Sequence, residues 1–129
     1  MKNIIIFISI LFLLGLLISC ATASGTALVT GKQRTATNPT NVVVYTEPPK
    51  NYEVIGIVTA SSDSGWTDQE DLEYAMEELK KQAAKIGANG VILESVGTSN
   101  SGGVISYGVY IPVTAKNVSG KAIFVFEEE

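Results

Sequence analysis

The sequence predicts an α/β fold, bordering on α+β, in which a small mixed β-sheet packs on one long α-helix. Three observations predict this class: short runs of β-branched and aromatic residues, one long amphipathic segment with start and stop signals, and an apolar run directly after it. The expected order is β-β-α-β-(β)-β, where the element in parentheses is ambiguous. Strands are expected at residues 42–45, 53–60, 91–96 and 122–126.

The first two strands are expected to form a hairpin. Residues 42–45 and 53–60 are rich in β-branched side chains, which fit a pleated surface. Pro48 and Pro49 lie between them, and a proline has no backbone donor and a fixed φ. A rigid loop is therefore predicted between two antiparallel neighbours.

The long helix is expected to begin after Thr67. Thr67 and Glu70 have the spacing of a capping box, in which each side chain accepts a hydrogen bond from the backbone of the other. Gly87 is suited to the left-handed position that ends many helices. The apolar residues between them recur every three or four positions, which predicts one buried stripe: Leu72, Ala75, Met76, Leu79, Ala83 and Ile86.

The segment after the helix is harder to divide. Residues 91–96 are predicted to form a strand parallel to 53–60, joined to it by a right-handed crossover. Residues 97–103 are glycine-rich and indicate a flexible connection, and 104–114 is an ambiguous strand in which Pro112 favours an edge. Residues 117–120 indicate a turn before the last strand.

The N-terminus has the features of an export signal. Lys2 precedes fifteen residues, 4–18, that are apolar except for Ser9 and Gly15. As a helix this run spans about 22 Å, short of the roughly 30 Å hydrocarbon core of a bilayer. Residues 1–19 are therefore predicted to be a signal peptide that is removed.

The end of this segment resembles the lipobox of bacterial lipoproteins. It reads Leu17-Ile18-Ser19-Cys20, and the resemblance implies cleavage between Ser19 and Cys20 after the Cys20 thiol takes a diacylglyceryl group. Because two or more acyl chains hold a protein on a membrane stably, a membrane lipid is the first expected partner. The alternative is an ordinary signal peptide in which the cysteine is incidental.

The position after the cysteine bears on location. Ala21 stands where the inner-membrane retention signal of enterobacterial lipoproteins would have Asp. By that resemblance the protein is expected on the outer membrane, where the source has one, with its domain in the periplasm.

Residues 20–40 are expected to form the lipidated cysteine and a flexible tether, and residues 41–129 the domain. The tether prediction rests on a segment of mainly Ala, Thr, Ser and Gly in which only Lys32 and Arg34 are charged. Fully extended, twenty residues would reach about 65–70 Å.

Charge and composition limit the possible functions. Residues 20–129 have eight basic and thirteen acidic side chains, a net charge of −5, which argues against a nucleic-acid surface. The chain has no histidine, which excludes a Ser-His-Asp triad and removes the commonest metal ligand. We expect no metal site, no cofactor and no enzymatic activity.

Two aromatic residues are candidates for contact with an envelope protein partner. Trp66 precedes the helix, and Tyr107 lies in the ambiguous strand. Tryptophan and tyrosine are over-represented at binding hot spots. For Trp66 the alternative is that it covers the start of the helix, and Tyr107 carries the same ambiguity.

Three segments resemble a group of small bacterial lipoproteins. They are residues 42–58, the helix-to-strand junction Lys85-Ile86-Gly87-Ala88-Asn89-Gly90 with the alanine-rich turn before it, and the strand that begins at Val91. The junction is similar to that of YbjQ-like small domains and of the sensor lipoprotein of the Rcs envelope-stress pathway. This resemblance implies a small sheet backed by one long helix. The disulfides of the Rcs sensor have no counterpart here, because Cys20 is the only cysteine.

The sequence favours two classes of function and keeps an enzyme as a third alternative, which would require buried, perturbed carboxylates or lysines in a cleft. The first is a non-enzymatic, lipid-anchored envelope module that binds another protein, as a sensor or an assembly accessory. The second is a binder of a small envelope ligand such as a peptidoglycan fragment. An exposed apolar patch or open sheet edge would favour the first, and a concave pocket with convergent polar groups the second.

Overall fold

A five-stranded mixed sheet with one long helix on one face forms the folded domain. The computed structural model describes residues 1–15, 23–63, 65 and 67–127. The strand order is β1-β3-β5-β4-β2, and the strands are β1 Ser24–Val29, β2 Val43–Tyr45, β3 Tyr52–Ser62, β4 Gly90–Ser106 and β5 Val109–Val125. The predicted class, a small mixed sheet on one long helix, is confirmed.

Helix α2, Asp68–Lys85, follows the sequence signals closely. The Thr67 hydroxyl accepts a hydrogen bond from the Glu70 backbone nitrogen at 3.2 Å, so the predicted cap is present. Gly87 has φ of 88°, the left-handed value expected after a helix end. The helix packs mainly on β3 and β5, and the core between them contains, among others, Ile55, Val58, Leu79, Val91, Val118 and Ala122.

Strand β1 lies inside the segment predicted to be a tether, so that prediction is wrong from Ser24 onward. The strand pairs antiparallel with β3, from Ser24 opposite Ser61 to Val29 opposite Gly56. Its backbone groups gain sheet partners, which compensates for the few apolar side chains that made the segment look unstructured. Ala27 also packs against the core.

The chain after β1 crosses the C-terminal end of α2, and we call residues 30–38 the strap. Backbone hydrogen bonds join Thr30 and Gly31 to the Ile55 carbonyl, Arg34 to the Ile86 carbonyl and Thr37 to the Ala84 carbonyl. A short 3-10 turn, Pro39–Asn41, then leads into β2. The domain therefore begins near residue 24, and not at the predicted residue 41.

Strand β2 does not form the predicted hairpin with β3. It pairs in parallel with β4, at the opposite edge of the sheet from β1. The two prolines do separate β2 from β3, but β2 takes another sheet position because β1 and β5 occupy the two edges of β3.

Strands β4 and β5 are seventeen residues each and form one long hairpin. The flexible connection predicted at 97–103 lies within β4, and the turn predicted at 117–120 lies in the middle of β5. Both predictions are wrong because pairing overrides local preference: residues 117–120 have β3 on one side and β4 on the other. Strands β3 and β4 both run antiparallel to β5, so they are parallel to each other, as predicted.

Helix α1, Lys2–Gly15, comprises fourteen residues of the predicted signal peptide. No helix among the residues that the structure describes combines the length and the hydropathy needed to cross a membrane.

Candidate interaction surface

The most distinctive surface is a two-stranded arm that projects beyond the sheet. Strand β3 ends at Ser62, opposite Lys116, whereas β4 and β5 stay paired out to Ser106 and Val109. We call residues 99–115 the hairpin arm. At its root the Lys116 ammonium donates a hydrogen bond to the Thr98 hydroxyl at 2.8 Å and lies 3.3 Å from the Asp68 carboxylate of α2.

The arm closes with a tight two-residue turn. Tyr107 has φ of 50° and Gly108 has φ of 78°, and Ser106 pairs with Val109. Positive φ at both central residues is the signature of the type I′ hairpin turn, whose twist matches that of the strands. Glycine adopts this region without cost, but a bulky side chain such as that of Tyr107 does so only rarely.

The outer part of the arm exposes apolar side chains on both of its faces. Ile105 is directly opposite Tyr110, so these two side chains share one face. Val109 and Ile111, on alternate positions of β5, point to the other face. The exposed fractions are high: 78% for Ile105, 61% for Tyr110, 62% for Val109, 49% for Ile111 and 104% for Tyr107.

The arm is also without charge. Between Glu94 and Lys116 there are 21 consecutive residues with no acidic or basic side chain, in a chain that is 17% charged. Surface hairpins of soluble proteins usually carry charged side chains that keep them in water and prevent edge-to-edge pairing. The exposed patch is therefore a candidate contact surface.

Strand β4 has a free edge beside the arm. Strand β2 pairs only with residues 90–92 of β4, so from Leu93 onward no described strand lies on that side. A register shift lies between Leu93 and Ser95, and Val96 is 51% exposed at this edge. Unpaired N–H and C=O groups along such an edge can accept an extended segment of another protein.

The sheet face opposite α2 is dominated by short polar side chains near β1. The Thr26 and Thr59 hydroxyls are 2.8 Å apart, and those of Ser24 and Ser61 are 3.3 Å apart. A shallow groove of about 240 Å³ lies at this end of the sheet. Its lining comprises Ser24, Thr59, Ala60, Ser61, Ser95, Gly97, Asn117, Val118 and Ser119.

Two further grooves lie along α2. One, of about 330 Å³, is lined by the 3-10 turn and charged helix residues; the other, of about 300 Å³, by residues of α2 alone. Glu77 and Lys80 line both, and such long, mobile side chains do not hold a ligand in one orientation. No cluster of three potential metal-ligating side chains occurs among the residues that the structure describes.

One exposed ion pair, between Lys121 and Glu94, raises the pKa of its lysine. The Lys121 ammonium lies 2.9 Å from a Glu94 carboxylate oxygen. This hydrogen bond and the charge of Glu94 raise the pKa of Lys121, which stays cationic at neutral pH. The pair stands at the register shift of β4.

The junction that carried the family resemblance has a structural role. The Asn89 carboxamide donates to the Val125 carbonyl at 2.9 Å and accepts from the Val125 nitrogen at 2.7 Å, so it extends the sheet ladder by one rung. Ala88 is fully buried, and its carbonyl accepts the Thr37 hydroxyl at 2.6 Å. A side chain at Gly87 would overlap the Arg34 backbone. These residues hold the strap, the helix and β5 together.

The predicted site residues have different outcomes. Tyr107 is described and lies fully exposed at the arm tip. Ser19, Cys20 and Trp66 lie outside the described residues, so lipidation, cleavage and the Trp66 contact stay predictions. Sequence reasoning missed the other exposed residues of the arm, although the uncharged run and the Tyr-Gly pair between apolar alternations were available as signals.

The fold defines a class, an α+β domain whose five-stranded mixed sheet is covered on one face by a single helix. A scan against protein-family models and a search of curated proteins give no match. Among solved structures, the chain is similar to the Francisella virulence factor FvfA in its orthorhombic crystal form, with a TM-score of 0.52 and 21% sequence identity. The match covers 77% of this chain and 96% of that one. At this identity the similarity shows a shared fold and assigns no residue roles.

Proposed function

We propose that the chain is a lipid-anchored lipoprotein of the cell envelope, whose periplasmic domain is a non-enzymatic module that binds another envelope protein. The anchor is Cys20 at the end of the lipobox-like sequence, and the outer membrane is the expected site. The observation that carries the binding role is the free edge of β4, which continues past its last pairing with β2 at Ile92 and has no acidic or basic side chain from Ser95 onward.

This edge suits recognition by strand addition. A partner segment in extended conformation would pair with the exposed backbone of residues 95–100, and Val96 would supply a side-chain contact. The opposite outer edge, that of β1, is only six residues long. The β4 edge therefore offers the longer row of hydrogen-bonding groups.

The resemblance to YbjQ-like domains and the Rcs sensor agrees with such a role but assigns no pathway. The similarity to FvfA supports the fold on which the edge is built, and nothing further is taken from it.

The test is site-specific photocrosslinking in cells, with mass spectrometry of the products. A photoreactive amino acid at Val96 should give a discrete adduct, and the same probe at Lys81, exposed on α2, should not. The photoreactive amino acid is also placed at positions 66 and 107, in place of Trp66 and Tyr107. Cys20→Ala should abolish both acylation and the Val96 adduct.

The two parts of the proposal fail separately. An unmodified Cys20 in the mature protein refutes the anchor. An acylated protein that gives no adduct from any of these positions refutes the protein-binding role.

A second candidate function, binding of a small envelope ligand such as a peptidoglycan fragment, is favoured by one observation. The groove beside Ser24 is lined by hydroxyl and amide groups that could pair with a sugar. Its volume of about 240 Å³ is below the roughly 300–1,000 Å³ typical of ligand sites. Ligand-detected NMR with soluble muropeptides distinguishes the candidates, since binding there should be lost in Asn117→Ala.

A further inference from the structure

The hairpin arm and the chain that leads to Cys20 leave the sheet from the same end. Ser24, the first residue of β1, is opposite Ser61 of β3, and Ser61 is opposite Asn117 of β5. From that level β5 continues outward to the arm tip. The residues before Ser24 enter β1 from the same side, because β1 and β5 run in the same direction.

The two segments differ in reach. Three residues lie between Cys20 and Ser24, and the four Cα-to-Cα steps from one to the other span at most about 14 Å even when fully extended. From the level of Asn117, β5 runs eight residue steps to Val109 at the arm tip, or about 27 Å at the rise of an antiparallel strand. With Cys20 held at the lipid surface, the tip reaches that surface unless the arm is inclined by more than about 60° to the membrane normal.

We propose that the tip of the hairpin arm inserts into the surface of the bilayer that holds the acyl chains of Cys20. This inference rests on the proposed lipid anchor. The acyl chains would fix one point of the domain, and the tip a second, so that the domain has a defined orientation on the membrane.

The chemistry of the tip fits a lipid surface better than a flat protein surface. A strand pair that docks on a protein needs one apolar face, whereas here Ile105 and Tyr110 lie on one face and Val109 and Ile111 on the other. A lipid layer that surrounds the tip would cover both of these apolar faces. No charge has to be desolvated, and tyrosine is enriched where the headgroups meet the acyl chains.

The backbone at Tyr107 supports the same assignment. Its φ of 50° is a region that asparagine, aspartate and glycine adopt far more readily in this turn. A tyrosine there is conformationally unfavourable and fully exposed. Such an arrangement is typical of a position where the side chain acts on something outside the protein.

A depth measurement on the full-length, lipidated protein tests the proposal. Cys20 is the only cysteine and its thiol is consumed by acylation, so Tyr107→Cys introduces a single site for an environment-sensitive fluorophore. Ile105→Cys is a second tip position that leaves the turn intact, and Lys81→Cys on α2 is the matched control. Each labelled protein is reconstituted in phosphatidylcholine vesicles with or without acyl-brominated phosphatidylcholine.

We expect both tip labels to shift to shorter emission wavelength, to lose fluorescence with brominated lipid and to resist quenching by iodide in solution. The Lys81 label should show none of these changes. Tip labels that iodide quenches as well as the Lys81 label overturn the proposal. Labels that resist iodide but are not quenched by brominated chains indicate contact with a second copy, which also overturns it.

Two further measurements distinguish a failure of the proposed lipid anchor from a failure of tip insertion. Mass spectrometry of Cys20 and flotation of the labelled protein with the vesicles are measured first. A protein that is not acylated or does not float overturns the proposed anchor and this inference with it. A protein that floats with water-exposed tip labels overturns this inference alone.

Discussion

Replacing Arg34 with alanine should destabilise the domain, because this side chain fastens the strap to the sheet. The Arg34 guanidinium carbon lies 4.1 Å from the Phe124 ring centre and 5.6 Å from that of Phe126. A guanidinium nitrogen also lies 2.9 Å from a Glu53 carboxylate oxygen. The two rings meet edge to face, with centres 5.3 Å apart, and so present a preformed surface to the cation.

The expected magnitude follows from these contacts. A partly desolvated cation over an aromatic ring contributes about 0.5–2 kcal/mol. The ion pair adds at most about 1 kcal/mol, because the Arg34 and Glu53 side chains keep 29% and 41% of their exposure. Arg34→Ala should therefore lower the free energy of unfolding by about 1–3 kcal/mol. With a urea m-value of about 1.5 kcal/mol/M, the midpoint moves by roughly 0.7–2 M.

The assay is urea unfolding followed by far-UV circular dichroism. Lys32→Ala is the matched control: Lys32 is exposed in the same strap, and its replacement should change stability by less than about 0.5 kcal/mol. A double-mutant cycle with Phe124→Leu isolates the ring contact and should give a coupling energy of about 0.5–1.5 kcal/mol. Equal midpoints for the two alanine variants, or zero coupling with Phe124, would refute the Arg34 side chain as the group that fastens the strap to the sheet.

Three further outcomes are expected. Leu79→Ala, at a fully buried position of α2, should cost about 2–5 kcal/mol in urea unfolding, and a loss below 1 kcal/mol would contradict the packing described. Thr67→Ala should cost about 0.5–2 kcal/mol while Thr67→Ser retains the cap to Glu70, so equal losses for both would contradict the capping role. Glu94→Gln should lower the pKa of Lys121 in an NMR titration, and an unchanged value would contradict the pair. Since that pKa is raised in the folded state, the pair stabilises at neutral pH and is lost only as pH rises through the raised pKa.

The features that the sequence predicted correctly depend on contacts close along the chain. The cap at Thr67 and Glu70 spans one helical turn, and Gly87 ends the helix by its own conformation. The apolar stripe of α2 needs only a sheet to pack on, whatever the strand order. The fold class followed from these local signals, and the structure confirms it.

The errors come from partners that are distant along the chain. The residues of β1 have little apolar surface, and their pairing with β3 depends on groups more than 25 residues away. The strap is fixed by Arg34 on Phe124, 90 residues apart in sequence. Residues 117–120 have turn-forming composition but lie between two strands, where backbone pairing forces them to be extended.

The candidate surface was predictable only in part. Tyr107 was singled out as an aromatic residue, but its place at the tip depends on the register of two seventeen-residue strands. The prediction of a flexible connection at residues 97–103 excludes a long β4–β5 hairpin. Without that hairpin, the sequence does not indicate that the uncharged residues project together from the sheet. Because β4 and β5 stay paired out to Ser106 and Val109, the uncharged residues form one projecting hairpin.

The position of β1 changes what a lipid anchor at Cys20 would do. A twenty-residue tether would let the domain move up to about 65–70 Å from the membrane in any orientation. With β1 in the sheet, only three residues remain between Cys20 and Ser24, and Ser24 is kept within about 14 Å of the anchor. Strand addition at the β4 edge would then occur close to the membrane, because that edge begins beside the arm. We therefore expect the partner to be a membrane protein or another protein held at the same surface.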